Sequence, residues 1–149
     1  MLRRNVLGVI VACLAFAAGV VGIHASGGDR RTLVVTMTND PNANQIKVYD
    51  AQSHVLLQTL SAHGRGGVGG NARGVKQHDG RLVAVVNNGS NSVALFRRGG
   101  DALKFDKVVS TTSPPVSVDF GSDHLYVAGA TTVDSFVLHQ NSVEGLDGT

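Results

Sequence analysis

One two-strand unit occurs three times in this chain, and it limits the possible folds more than any other feature. Leu33-Val34-Val35-Thr36-Met37-Thr38-Asn39 is followed, after Asp40-Pro41-Asn42-Ala43-Asn44, by Gln45-Ile46-Lys47-Val48-Tyr49-Asp50. The unit returns as Leu82-Val83-Ala84-Val85-Val86-Asn87-Asn88, a Gly89-Ser90-Asn91 turn and Ser92-Val93-Ala94-Leu95-Phe96. It returns again as His124-Leu125-Tyr126-Val127-Ala128-Gly129, a short turn and Thr132-Val133-Asp134-Ser135-Phe136. Short runs of β-branched and aromatic residues, separated by Gly, Asn, Asp and Ser, are the pattern of strands joined by tight turns. No helical period is present beyond the N-terminal segment.

Tyr49, Phe96 and Phe136 hold equivalent aromatic positions, spaced by 47 and 40 residues. The extra length of the first interval is assigned to the Gly-rich segment over residues 64–71. A strand-built period near 40 is the mark of a β-propeller, in which each blade is a four-stranded sheet of about 40 to 45 residues. Residues 55–60 and 105–110 are predicted as outer strands, and residues 115–120 as the inner strand opening the third blade.

The expected architecture is therefore all-β, a partial propeller of about two and a half to three four-stranded blades over residues 26–149. Closed rings use about four to eight blades, so the sequence reads as the N-terminal part of a larger propeller. Its terminal blade faces are then uncovered and self-association is expected, with residues 82–86 and 125–127 as exposed apolar templates.

The N-terminal segment belongs to no blade. Arg3 and Arg4 precede an uncharged run over residues 6–23, Ala25 supplies a small residue, and Ser26-Gly27-Gly28-Asp29 turns polar. This three-part pattern predicts a signal peptide over residues 1–25 and an extracytoplasmic product, periplasmic or secreted. Two alternatives stay open. The run of about 18 residues can serve as an uncleaved membrane anchor, and Ile10-Val11-Ala12-Cys13 has lipobox residue types.

Cys13 is the single cysteine, so the mature domain has no disulfide, thiolate nucleophile or cysteine metal site. Without Arg3 and Arg4, 11 of the 13 basic residues remain against 11 acidic ones. That balance leaves no electrostatic footprint for nucleic acid.

Residues 34–50, 64–98 and 115–136 resemble the YVTN-type repeats of bacterial lactonase-like β-propellers, the group similar to 6-phosphogluconolactonase and the muconate-lactonising propeller enzymes. The resemblance implies a seven-bladed ring with a lactone or its anionic product over the central channel. It brings no catalytic motif that can be matched here, and the catalytic residues are unknown.

The most distinctive local segment is Gly64-Arg65-Gly66-Gly67-Val68-Gly69-Gly70-Asn71. Successive backbone N–H groups of such a loop can meet an anion, and Arg65 can clamp a carboxylate or phosphate. The competing reading is a flexible connection between blades. His63 lies close by in sequence. Asn39 and Asn87, with Gly129, end equivalent strands, where each either caps its strand or faces a ligand at the end of the channel.

Asp40 to Asn44 has the opening spacing of a calcium loop, but Gln45 and Ala51 stand where the loop needs Gly and a bidentate Glu. A hairpin turn is the expected reading. The histidines show no metal spacing, no Gly-x-Ser-x-Gly elbow is present, and neither a metal nor a cofactor is expected.

Two functions follow. One is an exported propeller with a binding or scaffolding role, whose partner is a small anionic molecule or another protein, with a membrane involved only if the N-terminal segment is retained. The other is a periplasmic or secreted lactonase-like hydrolase with an Arg, His and Glu site over the channel.

Overall fold

All three hairpins form. In the computed structural model they are β1 (Leu33–Met37) with β2 (Gln45–Asp50), β5 (Leu82–Asn87) with β6 (Ser92–Gly99), and β9 (His124–Gly129) with β10 (Val133–His139). The structure describes residues 30–67, 71–139 and 142–145. The expected signal peptide with Cys13, and residues 68–70 of the Gly-rich segment, lie outside the described residues.

Each hairpin is the centre of an antiparallel sheet. β3 (Leu56–Ser61) completes the order β1-β2-β3. The second sheet runs β4-β5-β6-β7, with β4 at Val75–His78 and β7 at Ala102–Ser110. The third runs β8-β9-β10-β11, with β8 at Pro115–Phe120 and β11 at Ser142–Gly145. The chain is thus an all-β partial propeller of three blades. Among the described residues the first blade has three strands, with none at the place that β4 and β8 occupy in the others.

β4 is the strand the sequence hides. Val75-Lys76-Gln77-His78 contains one aliphatic residue and no alternation to mark it, yet it pairs along its whole length with β5. The longer first interval has the expected location. β3 and β4 are separated by residues 62–74, whereas β7 and β8 are separated by residues 111–114.

The cross-strand ladders define which positions are equivalent. Tyr49 stands opposite Val34, Phe96 opposite Val83 and Phe136 opposite Leu125, so the aromatic residues do share one position. The ladder from β2 to β3 and that from β6 to β7 are both irregular next to this residue, at Val48/Tyr49 and Leu95/Phe96. A bulge adds local twist to a sheet, and the first two blades place it identically. Counting from the aromatic residues, however, Thr38 rather than Asn39 matches Asn87 and Gly129, and Asn39 matches Asn88. A slip of one residue reverses the face of a strand residue, so the expected equivalence of Asn39 and Asn87 does not hold.

Two apolar clusters hold the blades together. Between the first and second lie Ile46, Val48 and Ala62 against Val83, Val85, Ala94, Phe96 and Leu103. Between the second and third lie Leu82, Ala84, Val86, Val93, Leu95 and Val109 against Val118, Leu125, Val127 and Phe136. Successive residues of β5 alternate between the two clusters, and every one is buried. This overturns the expectation that residues 82–86 are an exposed template. They form an inner strand of the middle blade, paired on both sides and covered on both faces, and Leu125 and Val127 are likewise fully buried. Full burial of such side chains stabilises by about 1.5–3 kcal/mol each.

Candidate functional site

The turns within the β1-β2, β5-β6 and β9-β10 hairpins and the connections from β3 to β4 and from β7 to β8 all emerge at one end of the strands. The candidate residues Asn39, His63, Arg65 and Asn87 lie on or beside them.

The first turn is built by its own side chains. The Asp40 carboxylate accepts from the backbone N–H of Asn42 at 2.7 Å and of Ala43 at 3.1 Å, and Asn44 Oδ1 accepts from Asn39 N at 2.9 Å. The Asn42 and Ala43 amides hold the Asp40 carboxyl below its ordinary pKa. An Asx turn, rather than a cation loop, accounts for this Asp. Asn39 has φ 54°, a left-handed conformation that Asn tolerates better than most residues.

Asn44 then reaches out of its own blade. Its Nδ2 donates to the Val86 carbonyl and to Asn87 Oδ1, both at 3.0 Å, and Asn87 Nδ2 donates to the Ala62 carbonyl at 2.8 Å. Asn87 is fully buried and Asn44 nearly so. Their amides join the first turn, the second hairpin and the connection leaving β3.

That connection is pinned rather than loose over residues 62–67. Ala62 N donates to the Asn44 carbonyl, Asn44 N to the Gly64 carbonyl, and Gly66 N to the Asp40 carbonyl at 2.7 Å. Gly67 N donates to Asn39 Oδ1 while Asn39 Nδ2 donates to the Gly67 carbonyl, both at 3.0 Å. On the other side Gly89 N donates to the Gly66 carbonyl at 2.8 Å, and Arg65 N to Ser90 Oγ at 2.8 Å. A Cβ on Gly66 would lie 2.3 Å from the Asn39 carbonyl carbon, and one on Gly67 would lie 2.4 Å from Asn88 Oδ1. Glycine is needed here because two turns close on the strap from both sides. The N–H groups of Arg65, Gly66 and Gly67 already have protein acceptors, so they are not aimed at an anion.

The structure separates His63 from Arg65. The His63 ring packs on Phe105, with centroids 3.9 Å apart, whereas Arg65 Nη2 donates to the Gly89 carbonyl at 2.8 Å. Both residues are exposed. The Arg65 guanidinium has five N–H donors, so an exposed ligand can still meet it. Asn39 and Asn87 spend their amides on protein partners. Sequence reasoning singled out Asn87 but missed Asn44, which has the look of an ordinary turn residue.

Beside the turn end, Lys76 Nζ lies 2.7 Å from Asp119 Oδ1, linking β4 to β8, and Arg73 lies 3.9 Å from the same carboxylate. The Lys76 hydrogen bond, supported by Phe120 N, holds Asp119 below its ordinary pKa. At the opposite end of the strands, a cavity of about 360 Å³ is lined by Arg30, Arg31, Leu33, Val35, Arg98 and Leu103, among others. Two of its arginines are opposed by carboxylates: Arg31 lies 3.9 Å from Asp50 and 3.8 Å from Asp101, and Arg98 lies 4.0 Å from Asp101. Among the described residues, no group of three or more His, Cys, Asp or Glu side chains is placed to hold a metal.

No family model matches the chain. No curated protein matches it either. A solved structure described as a functionally unknown protein from Desulfotomaculum acetoxidans DSM 771 is similar to it at a TM-score of 0.61 and 19% identity, over 77% of this chain. The match spans 37% of the length of that protein. This likeness is one of fold.

Proposed function

We propose that the chain supplies blades to an exported propeller whose turn face is a platform for binding or scaffolding. The observation that carries this reading is the double tie of Asn44 and Asn87, with the glycine strap, across the first blade boundary. Buried, fully satisfied polar networks fix one arrangement of the elements they join. The fixed frame presents the exposed side chains of Arg65, His63 and Asn42 at that end. A cationic Arg65 beside polar turn residues suits a small carboxylate or phosphate, or an acidic patch on another protein.

The test uses the exported full-length product. Calorimetric titration with small carboxylates and phosphates, repeated on Arg65→Ala, is expected to show binding that the substitution weakens without changing the unfolding transition. Sugar-lactone turnover in the same samples, abolished by Arg65→Ala, would transfer support to the lactonase-like hydrolase.

A further inference from the structure

The cavity of about 360 Å³ between the first two blades, at the end away from the hairpin turns, has one apolar side and one cationic side. The apolar side is Leu33 and Val35 of β1 with the buried Val83 of β5 and Leu103 of β7. Gln58 of β3 fixes that wall across the blade boundary. Its Oε1 accepts from Leu103 N at 2.8 Å, and its Nε2 donates to the Leu103 carbonyl at 3.1 Å. Small-molecule sites occupy about 300–1,000 Å³ and combine apolar walls with a few polar groups, and this cavity has both properties.

The cationic side carries Arg30, Arg31 and Arg98. Arg98 is anchored, with Nε donating to the Gly100 carbonyl at 2.8 Å and Nη2 to the Arg31 carbonyl, so it ties the segment entering β1 to the second blade. The Arg31 guanidinium is held loosely. Asp50 lies 3.9 Å from it, but Asp50 Oδ1 already accepts from Gln52 N, Ser53 N and Ser53 Oγ. Asp101 lies 3.8 Å from it, is half exposed, and accepts from Arg31 N at 3.2 Å. Exposed ion pairs this long are weak and screened by salt, so an incoming anion can replace Asp101 at the guanidinium. Arg30 has no carboxylate partner among the described residues. Three positive charges thus meet two negative ones, and one is left unbalanced beside an apolar wall.

We propose that this cavity binds a small amphipathic carboxylate, its head on Arg30 and Arg31 and its short hydrocarbon body against Leu33, Val35, Val83 and Leu103. A guanidinium matches a carboxylate with two parallel hydrogen bonds. The pairing of the two sides selects against simpler ligands. A bare inorganic anion leaves the apolar wall wet, and a neutral apolar molecule gains nothing from the unbalanced charge. The cavity lies at the opposite end of the strands from Arg65, so the inference is independent of what the turn face binds.

A chain-length series tests it. Calorimetric titration of the exported full-length protein with butyrate, hexanoate and octanoate is expected to show one ligand per chain, with affinity rising about fourfold for each added CH2. Octanamide and inorganic phosphate each lack one half of the match, and both are expected to bind at least about tenfold more weakly than octanoate. Arg30→Gln changes an exposed side chain and is expected to weaken octanoate about tenfold while leaving octanamide unchanged. Val35→Phe narrows the apolar side and is expected to flatten the chain-length series, whereas Arg65→Ala is expected to alter neither result. If Val35→Phe lowers the melting temperature, the series and Arg30→Gln decide on their own. No binding at millimolar octanoate would overturn the inference, as would an affinity that does not rise from butyrate to octanoate, or octanamide binding as tightly as octanoate. Octanoate binding lost in Arg65→Ala and kept in Arg30→Gln would overturn it too, placing the carboxylate on the turn face.

Discussion

Asn44 and Asn87 meet with Nδ2 3.0 Å from Oδ1, at a point where neither belongs to the other's sheet. Asn44 closes the turn of the first hairpin, and Asn87 ends β5 in the second blade. Because Asn87 also donates to the Ala62 carbonyl, one side chain closes a circuit through two blades and their connection.

Asn87→Ala strands the Ala62 carbonyl and removes one acceptor from Asn44. Buried groups left without partners cost about 1–3 kcal/mol each. Urea unfolding should show a loss in that range. Asn87→Asp should be no better, since a carboxylate oxygen would face the Ala62 carbonyl where an N–H is required. A loss below about 0.5 kcal/mol would mean that water or a shifted turn replaces the amide.

Two glycines that look alike in the sequence should respond oppositely to alanine. Gly66 has no room for a Cβ beside Asn39, and Gly66→Ala should cost about 1–3 kcal/mol through displaced backbone. Gly99, in the outer hairpin, has open space around the same position. Gly99→Ala should be neutral or slightly stabilising, because it narrows the unfolded ensemble. Melting temperatures of the two variants, compared with the parent, decide the matter.

Acid should weaken the second blade boundary through Asp119. Its pKa is lower folded than unfolded, so its contribution is complete above the ordinary value of 3.8 and disappears as pH falls through the folded value. Asp40, Asp50 and Asp123 are lowered as well and act with the same sign. Asp119 is half exposed, so salt screens its pairing with Lys76. Denaturation midpoints measured near pH 5 and pH 3 should converge in Asp119→Asn relative to the parent. Equal acid losses in both proteins would remove Asp119 from the account.

Calcium and zinc should leave the melting temperature unchanged. The Asp40 carboxylate is committed to the Asn42 and Ala43 amides, and no described cluster supplies three protein ligands. Any ligand that prefers the folded state raises stability by mass action, so a rise of several degrees at micromolar metal would reveal a site that these contacts do not account for.

Export can be read directly from the product. Expressed with its native N-terminus, the protein is expected outside the cytoplasm with a first residue near Ser26. Full-length chain in the cytosol that retains Met1 would sink the signal reading.

The sequence by itself determined the repeat. A local alternation of β-branched, aromatic and turn residues is a property of adjacent positions, so the three hairpins, the shared position of Tyr49, Phe96 and Phe136, and the all-β class were legible before any contact was known. The tertiary structure decided what each repeat faces. β5 has both faces apolar, which signals burial without naming the neighbours, and only packing revealed one cluster on each side. β4 escaped notice because an inner strand needs backbone pairing more than apolar side chains, and Val75-Lys76-Gln77-His78 carries that pairing with little hydrophobic mark. The side-chain amides were the least legible part. An asparagine forms equally good hydrogen bonds in a turn, to a ligand or across a blade boundary, so its role depends on which acceptors the fold brings within 3 Å. For Asn44 those acceptors, the Val86 carbonyl and Asn87, lie more than 40 residues away along the chain.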